Sequence, residues 1–141
     1  MQSTLQLLYV SHAAETLVPA DLQQIIAASR RNNWRAGITG CLVHAGQAFA
    51  QVLEGRPDVV EATIARIAHD PRHHGLTVVR RQAVDRRDYP DWSMGWVHDA
   101  SLASALDELL VGAQPASPGD GPPGVAWLLR RMASEAMAGS R

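Results

Sequence analysis

The sequence predicts an α+β fold: a five-stranded mixed sheet with two helices on one face and C-terminal helices on the other. Three observations predict it. Five short segments carry the two-residue alternation of strands, two longer segments between them carry helical spacing, and a tight Ala45-Gly46-Gln47 connection joins two strands into a hairpin. The order is β-α-β-β-α-β-β, a split β-α-β (ferredoxin-like) arrangement with an added strand. Right-handed crossovers place both internal helices on the same face.

Leu5 to Val10 is the first strand, with Leu5, Leu7 and Tyr9 on one face. Val18 to Asn33 reads as the first helix. Pro19 suits the first helical position and Asp21 the first turn. Leu22, Ile25, Ile26 and Ser29 follow the spacing of an inward stripe. Asn32-Asn33 fits a helix C-terminal signal, because asparagine tolerates the left-handed conformation. Ile38 to Ala45 is the second strand, and Gly37 and Gly40 at its start read as points of close backbone approach. Ala48 to Gly55 is the third strand. Pro57 opens a second helix running to about Asp70, packed through Val60, Ile64 and Ile67. Leu76 to Val84 and Asp91 to Val97 are the fourth and fifth strands, and Arg80, Arg81, Arg86 and Arg87, interleaved with Asp85 and Asp88, read as a solvated hairpin. Ser101 to Leu110 (Leu102, Leu106, Leu109, Leu110) and Val125 to Met137 (Trp127, Leu128, Leu129, Met132) are candidate helices for the opposite face. The Pro/Gly/Ala/Ser-rich stretch from Gly112 to Gly124 separates them as a linker.

Composition narrows the function classes. With 141 residues, 46% hydrophobic and 19% charged, one globular domain is the default. A formal net charge of −1 gives no electrostatic case for nucleic acid or an anionic membrane. No apolar run reaches the ~20 residues of a membrane span, and no secretory signal opens the chain. The single Cys41 has no internal disulfide partner, which fits a cytoplasmic protein. It reads as a buried small hydrophobe. His69, His73 and His74 lack further ligands at metal spacing, so no metal site is expected.

The third strand carries the strongest chemical signal. Phe49, Gln51 and Leu53 share a face, so a carboxamide stands in an apolar row. A buried amide without partners costs on the order of 1–3 kcal/mol per unmet group, so another side chain, a water or a ligand must bond to Gln51. A core glutamine bonded to backbone is the plain alternative. Tyr9 on the first strand, and Trp92 and Met94 on the fifth, meet Gln51 if each of those faces is the helix-covered one. On the first helix, Ile25, Ser29 and Asn32 or Asn33 turn the apolar stripe polar at its C-terminal end. On the second, Ala62, Thr63, Arg66 and Asp70 line one edge, with Arg66 and Asp70 spaced as a helical ion pair. Together they outline a slot with flat apolar walls (Ile25, Phe49, Ala62) and amide and guanidinium edges. Such a slot suits a planar heteroaromatic ligand with carbonyl and ring-nitrogen acceptors.

In six stretches the chain resembles the BLUF family of flavin-binding blue-light sensors. They are Leu8-Tyr9-Val10-Ser11, Ser29-Arg30-Arg31-Asn32-Asn33, Gly37-Ile38-Thr39-Gly40, Phe49-Ala50-Gln51-Val52-Leu53-Glu54-Gly55, Asp70-Pro71-Arg72-His73-His74 and Trp92-Ser93-Met94-Gly95. The likeness runs from about Leu5 to Val97. It implies a bound FAD, with FMN as the other possibility. It implies that Tyr9 is the photochemical electron and proton donor and that Gln51 sits between Tyr9 and the flavin. Asn33 would bond the imide edge, with Asn32, Arg66 and Asp70 supporting the ring or its tail, and Ile25, Ser29 and Phe49 completing the site. Trp92 and Met94 would respond on the fifth strand. After light-driven transfer from Tyr9, Gln51 would rearrange and a stronger hydrogen bond to the flavin would red-shift its absorption. The sequence departs from the common pattern at Ala50, Trp34 and Tyr89, and Trp34 and Trp96 add oxidisable rings.

The expectation is a photosensor domain over residues 1–98 and a helical extension over 99–141. It is a signalling module and not an enzyme, because the residues after Val97 are too few for a cyclase or phosphodiesterase. Output would pass through a downstream protein partner or a homo-oligomer, with the fifth strand and the Ser101 helix carrying the signal. Two alternatives are a BLUF relative that binds flavin without photoactivity, and an acylphosphatase-like hydrolase on the same fold. The hydrolase needs an arginine in an anion-binding loop after the first strand, and none is present there.

Overall fold

The computed structural model describes residues 3–90, 94–97 and 102–111. In chain order these form β1 (Thr4–Ala13), α1 (Pro19–Ala36), β2 (Thr39–Ala45), β3 (Ala48–Gly55), α2 (Pro57–Ile67), β4 (His73–Val84), β5 (Gly95–Val97) and α3 (Ala103–Val111). The strands lie in the order β4-β1-β3-β2-β5. The first four are mutually antiparallel. β5 adds a short parallel edge through Cys41–Gly95, Leu42–Trp96 and Val43–Val97.

Both faces of the sheet are covered. On one side Leu5, Leu7, Leu42, Phe49 and Leu53 pack with Ile26 of α1 and with Val60 and Ile64 of α2. On the other, Leu8, Val10, Cys41, Ala50 and Val52 pack with Leu102 and with Leu106 of α3. Every residue of β3 is buried. The two central strands therefore read as near-continuous apolar runs, as expected when neither face meets water.

Several element ends differ from expectation. α1 runs past Asn32-Asn33 to Ala36, and Gly37, at φ 71°, takes the left-handed cap. Glycine adopts that conformation without a Cβ clash, so it displaces the asparagines from the terminus. Nothing stands within 4 Å of a Cβ built on Gly37, so its role is the turn and not close approach. Gly40 is the close approach, because a Cβ there would lie 1.9 Å from the Val52 carbonyl oxygen. At the other end of α1, Asp21 accepts a hydrogen bond from the Val18 amide at 3.0 Å and caps the first turn.

α2 ends at Ile67, short of Asp70, and the chain turns before β4 begins at His73. β5 is described over Gly95–Val97, with Met94 outside it, and residues 91–93 of the strand expected from Asp91 lie outside the described residues. Trp92 lies outside the described residues. So do the expected linker 112–124 and the helix Val125–Met137 with Trp127, Leu128, Leu129 and Met132, and the Leu109 and Leu110 side chains are likewise not described. The charged cluster at the end of β4 and after it is solvated only in part: Arg81, Asp85, Arg86 and Asp88 are exposed, but parts of it are tied back to the sheet. Arg80 Nε donates to Gln6 Oε1 at 2.6 Å, Arg87 donates to Thr39 Oγ1 at 3.0 Å, and the Asp88 amide donates to Glu54 at 2.8 Å.

Gly40→Ala is expected to lower the unfolding free energy by about 2–4 kcal/mol, because its methyl group would displace the β2–β3 backbone pairing. Urea unfolding measures this, and a loss below about 0.5 kcal/mol would mean that the strand pair moves apart freely.

Candidate functional site

Strand register builds the site. Tyr9 stands directly opposite Gln51 in the β1–β3 pairing, and Gln51 stands opposite Leu42 in the β2–β3 pairing. Side chains level with one another across adjacent strands share a face. The Tyr9 hydroxyl donates to Gln51 Oε1 at 2.6 Å, and Gln51 Nε2 donates to the Met94 Sδ at 3.3 Å. All three residues are buried. A thioether sulfur only accepts, so the NH₂ end of the amide belongs at Met94 and the oxygen end at the phenol.

Above this row lies a cavity of about 250 Å³ between α1 and α2. Its apolar walls are Ile25, Leu42, Phe49 and Ile67, and Ala28 and Ser29 keep the α1 side low. Tyr9 and Gln51 form its polar floor, and Asn32, Asn33, Thr63, Arg66, Asp70, Arg72 and His73 complete the lining. Of the residues singled out in the sequence, Tyr9, Ile25, Ser29, Asn32, Asn33, Phe49, Gln51, Arg66 and Asp70 come together here. Met94 joins through Gln51. Ala62, expected in the wall, is exposed, and its neighbour Thr63 takes the place. The Thr63 hydroxyl is spent on the Val59 carbonyl at 2.8 Å.

Asp70 pairs with Arg72 instead of Arg66. Arg72 holds the carboxylate with Nη2–Oδ2 at 2.5 Å and Nε–Oδ1 at 2.9 Å, and its own backbone amide adds a bond at 2.9 Å. The helical spacing of Arg66 and Asp70 lost its meaning when α2 stopped at Ile67. Bonds from the Arg72 side chain hold the Asp70 carboxyl below its usual 3.8 against the opposing effect of burial, with help from the Arg72 amide and the nearby His73. His73 fixes the same corner. Its Nε2 lies 2.7 Å from the Ile67 carbonyl and its Nδ1 lies 2.8 Å from Ser11 Oγ. The carbonyl only accepts, so Nε2 carries the proton and, in the neutral ring, Nδ1 accepts from Ser11. Arg72 and His73 were not singled out as site residues. The Asp70-Pro71-Arg72-His73 stretch that holds them was the available signal.

Burial, and secondarily the Asp70 charge, raise the Tyr9 pKa well above its usual 10.0, so the phenol keeps its proton throughout the neutral range. Cys41 lies on the opposite face, and burial pushes its thiol up to about 12, which leaves it inert. Among the described residues no group of three or more metal-ligating side chains occurs, and no helix is long and apolar enough to cross a membrane.

The family model described as "BLUF: Sensors of blue-light using FAD" matches residues 4–95. The chain belongs to the BLUF family. BLUF domains are blue-light sensors that bind FAD. The chain is 36% identical over 110 residues to the photoactivated adenylate cyclase subunit beta of Euglena gracilis, a match that spans 77% of this chain and 12% of that protein. The dark-state structure of the BLUF protein BlrB aligns with a TM-score of 0.77 at 33% identity, covering 95% of this chain and 98% of that one. The structure of Klebsiella pneumoniae BlrP1 with FMN and cyclic diGMP aligns with a TM-score of 0.64 at 28% identity, covering 79% of this chain and 31% of that one.

The BLUF cavity fits a flavin ring on its own chemistry. Its lining combines apolar side chains with the carboxamides of Asn32, Asn33 and Gln51, groups that carry both donors and acceptors, as an imide edge does. Within the protein Gln51 uses one amide proton at Met94 and one oxygen lone pair at Tyr9. Gln51 lines the cavity and has a second N–H and a second lone pair beyond these two bonds. The volume lies just below the roughly 300–1,000 Å³ of drug-sized sites.

Asp70, being more acidic in the folded state, stabilises the fold above its ordinary pKa, and this contribution is lost as pH falls through the depressed folded value. Arg72→Ala is expected to lower stability by a constant amount at neutral and basic pH and to flatten the acid limb of the stability–pH curve below about pH 4, leaving the slope of the neutral-to-basic limb unchanged. Thermal melts from pH 2 to 7 in both proteins measure it, and parallel acid limbs would refute the assignment.

Proposed function

We propose that this BLUF domain switches through the row Tyr9–Gln51–Met94. The observation that supports it most is the two-ended hold on Gln51, whose oxygen accepts from Tyr9 at 2.6 Å and whose nitrogen donates to Met94 at 3.3 Å. Asn32, Asn33, Arg66, Asp70 and Arg72 would hold the flavin ring and the start of its tail, between the Ile25 and Phe49 walls. The flavin, when bound, supplies the blue-light absorption and the oxidising power of its excited state. Tyrosine brings an oxidisable phenol whose proton already points along a short bond to Gln51 Oε1. A carboxamide can exchange its ends, presenting N–H to the Tyr9 oxygen and withdrawing N–H from the Met94 sulfur. Leucine at position 51 has neither end, and phenylalanine at position 9 has no proton to hand on.

On the fold, the β4-β1-β3-β2 order supports the ferredoxin-like reading, with β5 as the added strand. We assign residues 1–98 as the photosensor domain and 99–141 as a helical extension. The domain acts as a sensor and not as an enzyme. The chain spans only 12% of the Euglena cyclase subunit it matches, so cyclase activity belongs to that protein. Output here runs from Met94 through β5 and α3 to a protein partner or a second copy of the chain. The solitary Cys41 supports a reducing, cytoplasmic setting. FAD is the expected ligand and FMN is compatible.

The purified protein is expected to be yellow and to shift its flavin absorption to the red under blue light, returning in the dark. Tyr9→Phe and Gln51→Leu should each abolish the reversible shift while keeping the colour. A shift that survives Gln51→Leu overturns the mechanism. A coloured wild type without any shift identifies a photoinactive relative.

A further inference from the structure

The structure assigns Glu54 a role as the positioning residue that anchors the β5 segment, a proposal that rests on the Tyr9–Gln51–Met94 reading. Glu54 is fully buried and lies on β3, three residues beyond Gln51 and so on the opposite face of the sheet. Its carboxylate accepts two consecutive backbone amides of the β4–β5 connection, Asp88 N on Oε2 and Tyr89 N on Oε1, both at 2.8 Å. Gln6 Nε2 adds a third bond to Oε2 at 2.7 Å and reaches Asp88 Oδ2 at 2.8 Å. Arg80 holds the other end of the Gln6 amide at 2.6 Å. The Tyr89 ring is fully buried beside this carboxylate.

This degree of satisfaction is what a buried carboxylate requires, and its location gives it a consequence. Met94 follows Tyr89 by five residues, so a fixed Tyr89 amide limits where Met94 can stand. Among the described residues, the rest of the hold on that segment is the three-residue pairing to β2, the Gln51–Met94 bond, an Arg30 Nε bond to the Met94 carbonyl at 3.1 Å and the burial of the Met94 side chain in the core beneath the helices. One strand thus fixes both ends of the segment, through Glu54 on one face and Gln51 on the other. Glu54 is absent from the cavity lining, so it sets the position of β5 without touching the ligand. When Gln51 changes partners, Glu54 remains the fixed point about which residues 94–97 move.

Hydrogen exchange on the flavin-loaded full chain, in the dark and under blue light, tests this. In the wild type the Asp88 and Tyr89 amides should stay equally protected in both states while the Gly95–Val97 amides lose protection in light. In Glu54→Gln, whose oxygen can still accept one amide but whose NH₂ cannot accept the other, exchange at residue 88 or residue 89 should rise about tenfold. The light–dark difference at 95–97 should collapse, because β5 is already loose in the dark, while the absorption shift persists. A merely structural Glu54 would lower the melting temperature and leave that light–dark difference intact, which overturns the proposal. Light-induced deprotection of 88 and 89 in the wild type also overturns it, and needs no variant that folds. A wild type without an absorption shift would instead refute the underlying photosensor reading.

Discussion

The Tyr9–Gln51 hydrogen bond is the constraint on which the rest of the site depends. Both central strands are buried on both faces, so the usual alternation of apolar and polar residues does not say which way each strand should turn. A slip of one residue would bury an equally apolar set. What differs is the polar content. In the observed register Tyr9 meets Gln51 on one face and Gln6 meets Glu54 on the other, each pair directly opposite across β1 and β3. A slipped register breaks both pairs at once, leaving the Tyr9 phenol without its acceptor and Glu54 without the Gln6 amide, at a cost of about 1–3 kcal/mol per unmet group. The pairs that carry chemistry and anchoring also pin the sheet.

This explains what the sequence made legible. Gln51 between Phe49 and Leu53 was visible as an amide needing a partner, and Tyr9 on the Leu5–Leu7 face was its natural complement. The hairpin at Gly46 and the two helices between strands placed both under one roof. The other face was harder to read. Gln6 between leucines looks like an outward polar residue, and Glu54 beside Gly55 looks like a strand end in water. Their burial depends on the chain returning more than thirty residues later to supply the Asp88 and Tyr89 amides. No local pattern encodes such a contact. The Asp70 corner failed for a related reason. Spacing pairs Arg66 with Asp70 only if the helix continues, and the turn after Ile67 delivers Arg72 instead.

The two ends of Gln51 hold elements of very different strength. Its oxygen is tied to Tyr9 in the middle of β1, a strand paired along its length to β3 and β4. Its nitrogen is tied to Met94, which leads into a three-residue edge strand. Displacing β1 would break two long ladders and both cores, whereas displacing β5 breaks a three-residue pairing and draws one side chain, Met94, from the core. Local opening follows the weakest cooperative unit, so a change at Gln51 moves the edge and not the centre.

That asymmetry also bears on sensitivity. An element held by many bonds would absorb the loss of one amide–sulfur contact without moving. The Gln51–Met94 bond matters because it adds to a short pairing, the Arg30 bond and the burial of one methionine among the described residues, and a hydrogen bond of about 1 kcal/mol net shifts a two-state population roughly fivefold. A short edge strand is therefore a better reader of a single side-chain rearrangement than a long one. Its position must nevertheless be defined before the change, or there would be no dark state to leave. The buried Glu54 carboxylate, on the same strand as Gln51 but facing away from the cavity, supplies that definition from outside the ligand's reach.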